Sequence, residues 1–211
     1  MNPYLFFWLL ATGQSIPQRG QNGCTDELRA DVLIDRFPDR LSEQYHTTKR
    51  GKEKTERGLR EGLSDCFTTG LDLPIDVRFI QEEDQHRPGN VLVTYTTPER
   101  VFQKELLTVK NYSSLDITGL AFPGQNPRVY LVAVKHSDEK KRKGHKELQR
   151  ELQIVLSHEL GHILGLDHPP FGGPERTRPR DIMDYIVALH NDQYAFSPVD
   201  REKIKGCPRE K

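Results

Sequence analysis

The chain lacks a surplus of charge of either sign. Lysine and arginine total 31, aspartate and glutamate total 31, and the formal net charge at pH 7 is zero. Nothing in that balance points to nucleic acid or an anionic membrane surface as partner. The local run Lys140-Lys141-Arg142-Lys143 is read as a solvated connection rather than a polyanion patch. Long apolar runs are missing as well. The block from Tyr4 to Ala11 is too short to span a bilayer, so no membrane partner is expected. Its length suits the core of a secretory signal, although no basic residue precedes it. Residues 1–15 are therefore read as a signal peptide and the protein as secreted to the extracellular space. A tail, or a strand docked on an intracellular domain, is the alternative. Cysteine is scarce, with Cys24, Cys66 and Cys207 leaving an odd thiol. In an exported chain Cys24 would pair with Cys207 and Cys66 would stay a buried thiol, whereas a reducing compartment would keep all three free. Asn111, in N-Y-S, is a glycosylation acceptor only if a eukaryote secretes the protein.

Internal repeats and low-complexity linkers are also absent. At 211 residues the chain has the size of one domain with a core that needs no staples. Residues 16–28 read as an N-terminal segment and 29–211 as the domain proper. Strands are expected at 30–37, 75–81, 90–96, 117–122 and 128–134, from β-branched or alternating runs bounded by Pro and Gly. The last is nearly continuously apolar, as a strand inside a sheet requires. Leu59, Leu63 and Phe67, spaced by four, predict an amphipathic helix over 52–67. A short helix is expected after Pro98, and a long one from about Lys146 to Leu164, ended by Gly165. Ser197 caps a last helix beginning at Pro198. Strand, helix, four strands, helix, helix describes a single α/β domain.

Histidine is what this chain spends in one place. Three of its eight histidines, His158, His162 and His168, fall within eleven residues, "HELGHILGLDH", with Glu159 directly after the first of them. On a helix, residues four apart project from the same face, so His158 and His162 can meet one ion. A glycine at 165 lets the chain turn and bring His168 back beneath them. Zinc favours imidazole and, at catalytic sites, takes three protein ligands and leaves one position open. Glu159, next to a ligand, is then placed as the general base for attack on a carbonyl.

The stretch resembles the H-E-x-x-H-x-x-G-x-x-H pattern of the metzincin metallopeptidases. The resemblance implies a twisted five-stranded mixed sheet with one antiparallel edge strand, an active-site helix, and a methionine turn under the zinc, here Met183 in "DIMDY". "GLAFPGQNPRVYLV" is similar to the paired strands, and "FSPVDREKIKG" to the closing helix, of a matrixin-type (matrix metalloproteinase-like) catalytic domain. The likeness covers roughly residues 29–207. It implies a zinc-dependent endopeptidase, monomeric, with one catalytic zinc held by His158, His162 and His168 and with Glu159 as base. A protein or peptide substrate would lie extended along 117–122, and residues 170–196 would wall the specificity pocket. Tyr185, two residues after Met183, matches the tyrosine by which astacins and serralysins stabilise the transition state; a packed core tyrosine is the other reading. The histidine- and glycine-rich segment that gives matrixins a structural zinc and calcium has no counterpart at 98–116, and no cysteine-switch motif surrounds Cys24. The resemblance therefore carries over neither calcium nor that latency device. Two alternatives stand beside it: a catalytically silent zinc-binding module and an intracellular metallopeptidase.

Overall fold

Val32 and Ile34 point one way from their strand and Leu33 the other, and that alternation decides how the molecule is layered. The computed structural model describes residues 25–107, 117–133, 144–169, 180–184 and 194–205. Strand β1 (Leu28–Ile34) lies between β2 (Ile75–Ile80) and β3 (Val91–Thr96), parallel to both. Strand β5 (Arg128–Ala133) adds to β3 in parallel, and β4 (Ile117–Phe122) closes the edge antiparallel to β5. The order is β2-β1-β3-β5-β4. It is a five-stranded mixed sheet with one antiparallel pair.

Among the described residues five α-helices accompany it: α1 (Arg40–Thr47), α2 (Lys49–Leu71), α3 (Pro98–Glu105), α4 (His145–Ile163) and α5 (Pro198–Lys205). Along α2 the positions Thr55, Leu59, Leu63, Phe67 and Leu71 recur every four residues and are all buried. They meet Leu148, Leu152, Val155 and Leu156 of α4 and the β1 side chains Val32 and Ile34 in one core. Each leucine so buried contributes on the order of 1.5–3 kcal/mol. On the other face Val101 of α3 packs with Tyr130 and Val132. No helix among the described residues is long and apolar enough to cross a membrane.

Several boundaries differ from expectation, each for a local reason. Strand β1 runs 28–34 rather than 30–37. Past Ile34, the Ser42 hydroxyl donates to the Asp35 carbonyl and accepts from the Phe37 N–H, drawing the chain into a turn. The helix at 40–47 has no counterpart in the sequence reading. Its start is set by Asp39, whose carboxylate accepts the Ser42 N–H at 2.7 Å. Helix α2 is longer than 52–67, because Thr48 caps it at Gly51 N–H and Asp72, at φ +57°, ends it. Cys66 is free and half-buried rather than fully buried, and burial pushes its thiol up to about 11. Cys24, Cys207 and Asn111 lie outside the described residues, as do the run 140–143 and residues 1–15.

Candidate metal centre

Helix α4 builds the site from its last two turns. Its N-terminus is held by Glu147, whose carboxylate accepts the Gly144 N–H at 2.8 Å, the reciprocal half of a capping box. One turn on, the buried Glu151 accepts the Ile117 N–H at 3.0 Å, tying the first residue of the edge strand β4 to the helix. The helix stops after Ile163, and Gly165, at φ +80°, turns the chain. That conformation strains any residue with a Cβ. The turn is closed by Leu166 N–H donating to the Gly161 carbonyl at 2.9 Å.

His168 is thereby carried back under the helix. The three Nε2 atoms form a near-equilateral triangle: 3.1 Å from His158 to His162, 3.2 Å from His162 to His168 and 3.0 Å from His168 to His158. The tautomers follow from the other ring nitrogens. His158 Nδ1 lies 2.7 Å from the Ile182 carbonyl and His162 Nδ1 2.9 Å from the Leu166 carbonyl. A carbonyl only accepts, so each Nδ1 carries the hydrogen and each Nε2 presents a lone pair. Converging lone pairs call for a cation between them. Protonation does not supply it, because burial, with the neighbouring imidazoles, pushes His158 down to about 3 and His168 down to about 4. Burial lowers His162 too.

The triangle fits a tetrahedral ion. Metal–nitrogen bonds of about 2.0–2.1 Å place donors about 3.3 Å apart, close to the spacing found. These three histidines lie close enough together to hold a metal ion. No protein-family model matches the chain, and no curated protein matches it.

Glu159 is 7% exposed and stands outside the nitrogen triangle. Burial pushes its carboxyl up to about 8. Its side chain packs on Gly119 of β4, where even a methyl group would overlap Cγ and the carboxylate. Gly119 is thus a site residue that sequence reading did not single out, because only the folded sheet brings residues 119 and 159 together. Gly119→Ala is expected to displace Glu159 and, were Glu159 catalytic, to lower turnover by about tenfold or more, with metal content unchanged. Steady-state kinetics with metal analysis would test it, and an unchanged rate would show that the helix can give way.

Met183 is fully buried, with its sulfur against Gly161, beneath the His158–His162 turn. The Asp181 carboxylate accepts the Met183 N–H at 2.9 Å, and the Ile182 N–H donates to the Ala195 carbonyl, which fixes the turn that presents the Ile182 carbonyl to His158. Burial and the neighbouring Asp200 raise the Asp181 carboxyl. Asp200 is in turn bound by the Ser197 N–H and hydroxyl, so the cap of α5 also steadies this floor. Tyr185 lies outside the described residues, as does most of the 170–196 segment.

Proposed function

We propose that the protein is a zinc-dependent endopeptidase of the metzincin type, matrixin-like, acting outside the cell on extended segments of protein substrates. The observation that carries the reading is the convergence of three histidine Nε2 atoms within 3.2 Å beside a buried carboxylate that is not part of the triangle. A zinc ion held by His158, His162 and His168 would lower the pKa of water from about 16 to about 7 and polarise a carbonyl. Glu159 accepts a proton at its carboxylate and passes it to the leaving amine. Among the described residues strand β4 is an edge of the sheet, and beyond Ile117, whose N–H is taken by Glu151, a substrate would add to it as a further strand. Glu151 holds the start of that edge against the helix carrying the base.

Tyr185 completes the proposal as a hydrogen-bond donor to the developing oxyanion. Tyr185→Phe should reduce kcat by about 10- to 100-fold with KM little changed. An unaltered kcat would return the tyrosine to the core. A silent zinc-binding module is the second reading, and the intact Glu159 counts against it. The deciding experiment is cleavage of casein by the zinc-loaded chain with and without a chelator. Chelator-sensitive cleavage supports the peptidase. Zinc bound without cleavage, even after residues 1–28 are removed, supports the silent module. No zinc bound overturns both.

A further inference from the structure

We infer that the groove between α2 and α4, on the side away from β4, is a docking site for a sulfated polysaccharide. The inference is independent of the peptidase reading. Gly58 and Gly62, one turn apart on α2, leave no room for a side chain, because the amides of Gln149 and Gln153 of α4 fill that space. The two helices so joined enclose a groove of about 300 Å³. Lys54 and Arg57 stand along one wall and Lys146 and Arg150 along the other, with Glu61 the one carboxylate among the described lining residues.

In a chain of zero net charge this is a local concentration of one sign. Among the described residues, the ion pairs on α2 take up Lys49, Lys52 and Arg60 with Glu53 and Glu56 and do not include Lys54 or Arg57. The buried His145 at the start of α4 senses the excess. After burial, Lys54 and Arg40 are the next causes that lower its pKa, against a smaller opposing effect of Asp39.

The chemistry of the groove selects among polyanions. Residues four apart on a helix lie about 5–6 Å apart, so Lys146 and Arg150 present charges in a row that suits closely spaced sulfates. The Gln149 and Gln153 amides offer donors and acceptors to sugar hydroxyls and carboxylates. Among the described residues, no aromatic side chain lines the groove to stack a base, and no apolar one to enter a lipid layer.

The test titrates labelled heparin into the full chain over a range of salt concentration. The intact protein should bind at about 0.15 M salt, with log affinity falling linearly against log salt. Replacing Lys54, Arg57, Lys146 and Arg150 together by Ala should weaken binding by about tenfold or more and flatten that slope. Casein cleavage and zinc content should stay as they were. Arg57→Glu with Lys146→Glu, both exposed positions, should weaken binding in the same direction and guards against misfolding of the fourfold variant. Lys54→Arg with Lys146→Arg should retain it. Any of three results would overturn the inference: no binding at that salt, unchanged binding in both charge variants, or duplex DNA or anionic vesicles held as tightly by the same residues. Loss of binding only on neutralising residues 140–143 would overturn it as well.

Discussion

Glu159→Ala should abolish measurable cleavage, a loss of at least about 10²–10⁴-fold in kcat, while the purified chain still takes up zinc. The two halves of that result separate base from ligand. Glu159 follows His158 on the same helix, so it emerges about 100° further around the axis and does not join the three Nε2 atoms. Its contacts are with Gly119 of the edge strand, where substrate would lie. In the proposed peptidase, a carboxylate in that position would reach the attacking water and the substrate but contribute nothing to holding the ion. Metal analysis and turnover on the same preparation would check both. Loss of zinc from the variant would overturn the assignment.

The three imidazoles owe their state to the protein around them. Two of the three imidazoles are fixed by main-chain carbonyls, at Ile182 and Leu166. The Ile182 carbonyl belongs to the methionine turn, and the Leu166 carbonyl to the glycine turn that ends the helix. Orientation of the ligands is therefore built into the two turns that flank them, as outer contacts at metal sites commonly are.

That division explains what could be read from the chain alone. Spacing of four on a helix is a local property, so the His158–His162 pair and the α2 stripe of Leu59, Leu63 and Phe67 were legible directly. Gly165 announced the turn that returns His168. The strands from 75 onward were legible from β-branched runs. Helix α1 was not, because "RLSEQYHT" offers only Leu41 and Tyr45 to a hydrophobic pattern; its cap by Asp39 is the signal that would have found it. Gly119 and Glu151 act through partners 40 and 34 residues away, so their roles appear only once β4 and α4 are packed. A buried acid in the middle of the first strand was the largest feature left unread.

Asp31→Ala is expected to destabilise the fold by about 3 kcal/mol and to leave the three-histidine site intact. The Asp31 side chain is fully buried on β1, where a charge is tolerated only with partners. It has four: Arg78 Nε at 2.7 Å, the Arg87 N–H at 2.8 Å, His86 Nδ1 at 3.0 Å and Asn90 Nδ2 at 3.1 Å. These bonds gather the whole connection between β2 and β3 onto one carboxylate. Removing it strands several donors, and the figure sits at the lower edge for breaking a buried pair because Arg78 is 31% exposed and can return to water. Burial by itself would raise this carboxyl, but the hydrogen bonds from Arg78, Arg87, Asn90 and His86 outweigh it and hold Asp31 well below the usual carboxylate range. A depressed folded-state pKa fixes the sign of the pH dependence. The contribution is fully present above the unfolded value of about 3.9 and fades as pH falls from there toward the folded value. Chemical unfolding of both chains between pH 7 and pH 3 would therefore show the stability gap narrowing only in the acid limb. The sheet end that Asp31 secures is the opposite edge from β4, so zinc uptake at neutral pH should not change. A gap that persisted undiminished at pH 3 would mean that packing, not the charge, holds the connection in place.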